Sequence, residues 1–331
     1  MKNQFRGGCL IASILTSGYA HAETPKVLAS IAPVHSLVSA VMAGVGQPEL
    51  LVPATASDHD FALRPSDLRK IAGADLVIWI GESLESYLLK PIETERVADL
   101  QLIDAPGIDP QPFTRIEESV PEGAKPAEES HEMSGDAVQH APEGNAHAEE
   151  GEHKHAHSGL DPHVWLDPIR AQAIVGAVAE KLAELDPENA ARYQRNADDA
   201  VASLSALDAE IKGRLTALSA KPFITFHDGY SYFVKRYGLR QVGQLTVDPE
   251  QRAGAASVRA LRDEVAAEGV TCAFAEPQFD AGVIETLAGE TGMRIGVLDA
   301  IGADLQPGPS LYSALLRKNT EAFEACLAPV S

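Results

Sequence analysis

Positive charge is scarce in this chain. Lys and Arg total 27 against 48 Asp and Glu, a formal net charge of -21 over 331 residues. That balance excludes nucleic acid and anionic membrane surfaces as partners, and it suits cations in a general way only. Cysteine is scarcer still, with Cys9, Cys272 and Cys326 alone. Long apolar runs are missing too. Nothing after the N-terminal segment approaches the ~20 residues that cross a bilayer, so a soluble mature chain is expected.

The chain opens MKNQFRGGCLIASILTSGYAHAETP. Lys2 and Arg6 form a positive start, residues 9–17 a short apolar core, and Ala20-His21-Ala22 a small-x-small cleavage site. These features read as a secretory signal peptide over residues 1–22, with the mature chain starting at Glu23. Its removal takes away Lys2 and Arg6 and leaves the protein more acidic. Cys9 stands at the very start of the apolar core, whereas a lipidated cysteine follows it, which argues against a lipoprotein. Cys272 and Cys326 then remain. In an oxidising compartment an even pair reads as one disulfide, and the alternative is two buried thiols. The bridge would close a loop of roughly 55 residues and stabilise by about 4 kcal/mol.

Residues 114–160 are poor in Val, Ile, Leu and Phe, and rich in Asp and Glu. They hold His131, His140, His147, His153, His155 and His157, six of the eleven histidines. Such a segment cannot bury enough apolar area to offset its ordering entropy, so a flexible loop is expected. Neutral imidazole is the commonest metal ligand, and the segment reads as a weak, auxiliary collector of divalent transition metal.

Elsewhere strand and helix alternate. Segments at 27–31, 49–52, 76–80 and 100–103 read as strands with helices between them, and segments at 222–226, 240–244, 270–275 and 294–298 do the same later. Between the two sets lie two helices, each announced by an acid before proline: Asp167-Pro168 and Asp186-Pro187. The second carries Ala197, Val201, Leu204, Leu207, Ile211, Leu215 and Leu218 as one apolar stripe. Unbroken over 187–219 it would be about 50 Å long and would run along both lobes. The expected class is α/β, two lobes each with a mostly parallel sheet flanked by helices and a cleft between them. The divisions are 23–166, 167–219 as helical linker, and 220–331.

Three histidines stand in better-ordered motifs: His59 in DHDFALRPSD, His163 in DPHVWLDP and His227 in FITFHDGY. His227 closes an apolar strand, where α/β sheets place ligand groups. Spacing alone does not bring the three together. If they meet, three neutral imidazoles favour a late divalent metal over Mg²⁺ or Ca²⁺, and Zn²⁺ would take a fourth ligand or water. Asp299 and Asp58 are candidates for that position, readable equally as a turn residue and a solvated loop acid. Asp167 reads as a helix cap. Asp228 and Glu276 could orient a liganding histidine or pair with arginine. Trp165, Tyr230 and Phe61 read as cleft walls, and His35 as structural. A secreted metallohydrolase is the rival class, since three histidines and a water also describe a catalytic zinc. Neither HExxH nor GxSxG occurs, so the protein is not read as an enzyme.

VPATASDHDFALRPSDLRKIAGADLVIWIG, the acidic His-rich insert, HVWLDP, FHDGYSYF, VTCAFAEPQFD and GVLDAIGADL follow one another in this order. Together they resemble the ZnuA-like zinc-binding periplasmic proteins of ABC importers, the cluster A-I or cluster 9 solute-binding proteins. The resemblance covers essentially the whole mature chain. It implies a metal between two α/β lobes joined by a long rigid helix, with His59, His163 and His227 as ligands and Cys272 paired to Cys326. It also implies a periplasmic monomer that serves a cognate ABC permease and its ATPase. Manganese-binding relatives tend to carry a carboxylate where His227 stands and to lack the insert, so zinc is the implied cargo. Close zinc-specific relatives can place Glu before the first histidine. Here that residue is the shorter Asp58, which leaves the fourth position open between Asp299, Asp58 and water.

Overall fold

The computed structural model describes residues 24–113, 159–251 and 253–328. The expected signal peptide and the six histidines of the insert lie outside them.

The first lobe runs β1 (Val27–Ala29), α1 (Ala32–Val41), β2 (Glu49–Leu50), α2 (Pro65–Gly73), β3 (Leu76–Trp79), α3 (Glu82–Glu95) and β4 (Ala98–Gln101). All its strand pairs are parallel, in the order β2-β1-β3-β4, with Val77 opposite Leu28 on one side and Asp99 on the other. Leu76 to Trp79 are all buried, which is why the run reads as continuous rather than alternating. Two helices follow, α4 (Pro168–Leu185) and α5 (Ala190–Leu215). The second lobe is β5 (Pro222–His227), α6 (Ser231–Tyr237), β6 (Arg240–Thr246), α7 (Ala255–Glu268), β7 (Cys272–Ala275), α8 (Gly282–Thr291), β8 (Arg294–Val297) and α9 (Leu311–Leu327). Its sheet is also wholly parallel, in the order β6-β5-β7-β8. Among the described residues no helix is long and apolar enough to cross a membrane.

One apolar core continues from the first sheet through α4 and α5 to the inner face of the second, where Phe223, Phe274 and Phe323 meet edge to face. A separate cluster around Ile224, Leu245, Leu261 and Ile284 fills the other face of that sheet. The shared core joins the lobes into one body. Trp165 adds a polar tie, its indole N–H donating to the Ala300 carbonyl at 2.8 Å.

Two expectations change at the helices. Asp167 does cap α4, accepting from the Ile169 N–H at 2.9 Å. Asp186 caps nothing with its side chain; it takes the Tyr193 hydroxyl and the Asn189 amide instead. Residues 187–189 form a single 3₁₀ turn, and α5 covers 26 residues, or about 39 Å, before a second such turn at Thr216–Leu218. The apolar stripe survives the change of winding, which is why it overstated the helix. Even so, α5 packs against α1 of the first lobe and α9 of the second.

Cys272 and Cys326 form the expected disulfide, with Cα atoms 5.9 Å apart, tying β7 to α9. Gly159 and Leu160, counted with the insert on sequence grounds, are held by backbone contacts. Leu160 bridges Pro112 in antiparallel fashion, and the Phe113 and Asp161 N–H groups donate to the Gly159 and Gln111 carbonyls.

Candidate metal centre

The three sequence-distant histidines meet at the interlobe cleft. His227 is the last residue of β5, placed there by the sheet register. His163 begins the 3₁₀ turn Val164–Leu166 that leads into α4. His59 lies in the irregular segment between β2 and α2. His163 Nε2 stands 3.1 Å from His59 Nε2 and 3.2 Å from His227 Nε2. All three ligand atoms lie within 4.8 Å of one another, and His163 and His227 are buried.

Carboxylates fix two of the rings. His163 Nδ1 donates to Asp161 Oδ1 at 2.7 Å, and His227 Nδ1 donates to Glu276 Oε1 at 2.5 Å. A carboxylate only accepts, so each Nδ1 bears a proton, and each Nε2 presents a lone pair to the centre whenever its ring is neutral. Lone pairs 3.2 Å apart repel unless a cation or a proton stands between them. Tetrahedral Zn²⁺ with Zn–N near 2.05 Å sets its nitrogens about 3.3 Å apart, close to the spacing found. Burial and the neighbouring His227 charge hold His163 well below the usual imidazole range. Burial also pulls His227 down, but the carboxylates of Glu276, Asp58 and Asp161 together outweigh it and the net direction is up.

Trp165 and Tyr230 wall the cluster, with ring centres 5.3 Å from His163 and 6.0 Å from His227. Phe61 stands instead against Tyr87. His35 is not part of the cluster, its Nε2 donating to the Pro48 carbonyl. Glu276 is the histidine partner anticipated for it. Asp228, the other residue considered for that role, donates its backbone N–H to the Thr246 carbonyl.

The two fourth-ligand candidates differ. Asp299 turns into its own loop. Oδ1 accepts from Ile301 N, Gly302 N and Gln278 Nε2, and Oδ2 from Ala303 N at 2.7 Å. Asp58 is buried, its Oδ2 has no hydrogen-bond partner among the described residues, and burial raises its pKa. Neither belongs to the imidazole cluster. Asp161 is the functional residue that sequence reading missed. Its one signal is an acid two residues before a candidate ligand, across a proline.

A family model described as zinc-uptake complex component A periplasmic, ZnuA, matches residues 27–326. A high-affinity zinc uptake system protein ZnuA from Brucella suis biovar 1 (strain 1330) is 39% identical over 323 residues, covering 92% of each chain. One of the same name from Paracoccus denitrificans (strain Pd 1222) is 38% identical over 311 residues, covering 93% of each. The crystal structure of a ZnuA deletion mutant with zinc bound has the same fold, with a TM-score of 0.72 at 22% identity, covering 93% of this chain and 100% of that one. With a two-lobe parallel fold, a cleft of three imidazoles and a match over nearly its whole length, this chain belongs to the ZnuA family of periplasmic zinc-uptake components.

Proposed function

We propose that this protein captures Zn²⁺ in the periplasm through His59, His163 and His227 and delivers it to an ABC-type permease. One observation carries the reading: three imidazole Nε2 atoms converge at zinc-like spacing while carboxylates hold two of the rings from behind. The family and the relatives named above support the cargo. Three neutral nitrogen donors suit a borderline-soft ion better than Mg²⁺ or Ca²⁺. The fourth position falls to Asp58 or water, because the Asp299 carboxylate already serves four donors. The protein acts as a carrier rather than an enzyme. It works as a monomer beside its cognate permease and ATPase, after cleavage of residues 1–22. Residues 23–166 and 220–331 are the lobes and 167–219 the helical linker. The insert histidines hold extra zinc weakly.

The test is competition titration of the purified mature protein against a chromophoric zinc chelator. His59→Ala, His163→Ala and His227→Ala should each lose a thousandfold or more in affinity, while His35→Ala stays within threefold of the parent. Unchanged affinity in His227→Ala would sink the assignment.

A further inference from the structure

Asp161 is fully buried. Its Oδ1 serves both the backbone N–H and the Nδ1 of His163. Its Oδ2 accepts from the hydroxyl of Ser231, the first residue of α6 in the other lobe. The next residue, Tyr232, donates its hydroxyl to the Asp161 carbonyl at 2.7 Å and accepts from the Gln111 N–H at 2.9 Å. Gln111 in turn accepts from the Asp161 N–H at 2.7 Å. Two consecutive residues of α6 therefore grip both strands of the bridge that carries Asp161. The Arg170 guanidinium closes the far side, 4.6 Å over the Tyr232 ring, and donates to the Ile108 and Asp109 carbonyls.

We propose that Ser231 is a positioning residue for zinc, acting through Asp161 to lock the His163 imidazole from the opposite lobe. The inference rests on the reading of His163 as a ligand. A carboxylate held at one oxygen can tilt or exchange its oxygens, and the ring bonded to it follows. Held at both, it fixes the direction of the His163 Nε2 lone pair. Carboxylates that orient liganding imidazoles typically change metal affinity by 10–100-fold when lost. Ser231 lies four residues after His227, on the same strand–turn–helix unit. One unit of the second lobe thus supplies one ligand and aims another. Withdrawing that unit would disturb both imidazoles together.

Ser231 is half-buried at a helix start, so its replacement is mild. Zinc affinity, zinc release to excess chelator and the visible spectrum of the Co²⁺-loaded protein are measured for Ser231→Ala, Ser231→Thr and His163→Ala. Ser231→Ala should weaken zinc about tenfold, release it faster and shift the Co²⁺ bands, with its melting temperature close to the parent. Ser231→Thr, which keeps the hydroxyl, should restore all three. Parent-like affinity and spectrum in Ser231→Ala, beside lost binding in His163→Ala, would overturn the inference alone. Equal loss in the Ala and Thr variants with lowered melting temperatures would make Ser231 merely structural and overturn it too. Retained affinity in His163→Ala would overturn the ligand assignment, and this inference with it.

Discussion

The two lobes order their strands identically yet use the result differently. In each, the first strand pairs with the second on one side and the third on the other, and the crevice at their carboxyl ends is where open α/β sheets take ligands. In the second lobe that crevice holds His227, at the end of β5, and Glu276, just past β7. In the first it holds Ser30 and the buried Glu85. Glu85 Oε2 accepts from the Ile80 and Gly81 N–H groups at 2.8 and 3.0 Å, and burial raises its pKa to about 7. The first lobe offers its imidazoles from irregular segments instead. A strand end sets its ligand's backbone by register, and Glu276 then holds the His227 ring, whereas the backbone of a loop ligand must itself be propped by polar contacts. That explains why the hydrogen bonds around His163 are so dense.

The largest effect that bears on this contrast is the disulfide, which exists only in the second lobe. Cys272→Ser with Cys326→Ser, or reduction, should cost about 4 kcal/mol for a separation of 54 residues. Hydrogen exchange should show the loss in β5 to β8 first. An unchanged melting temperature would mean that the second sheet holds its register unaided.

Glu85 tests the crevice of the first lobe. Its folded pKa of about 7 exceeds the ordinary 4.5, so between those values the folded chain keeps a proton that the unfolded chain has released. Its contribution to stability is complete below about pH 4.5 and is lost as pH rises through 7. Glu85→Gln, neutral throughout, should remove up to roughly 3 kcal/mol of the fall in stability between pH 5 and 8. Parallel pH–stability curves for the two proteins would rule out a protonated crevice.

A smaller effect is expected from Glu276→Gln, which keeps an acceptor for His227 Nδ1 but removes the charge. Zinc affinity should drop about tenfold, with little change in stability. A loss as large as that of His227→Ala would show that register does not suffice to place the strand-end ligand. The smallest effect concerns the insert. Deleting residues Glu117 to His157 should reduce the number of zinc ions bound and leave the tight site within about threefold, because a flexible chelator loses chain entropy on binding. Loss of the tightest binding event would mean that the insert supplies a primary ligand.

Much of the architecture was legible because buried parallel strands announce themselves: Leu76 to Trp79 is wholly apolar, and Phe223 to Phe226 is apolar but for Thr225. His227 was legible for the same reason. The meeting of His59, His163 and His227 was not, since the contacts span 104 and 64 residues and no local periodicity encodes them. The family resemblance, not the spacing, supplied that expectation. Asp161 escaped notice because its partner Ser231 lies 70 residues on, in another lobe. Asp299 drew attention by following β8, but its carboxylate meets the N–H groups of its own loop before it can reach the cleft.

The bridge between Pro112 and Leu160 bears on tolerance to insertion as well as on geometry. It fixes both ends of the intervening segment side by side, so the chain on either side runs the same course whatever joins them. For a flexible connection between adjacent ends, doubling the length costs only about 0.6 kcal/mol. Lengthening that segment, shortening it or restocking it with histidines is therefore close to neutral for folding. The imidazole cluster, reached a few residues past the bridge at His163, should keep its geometry through such changes.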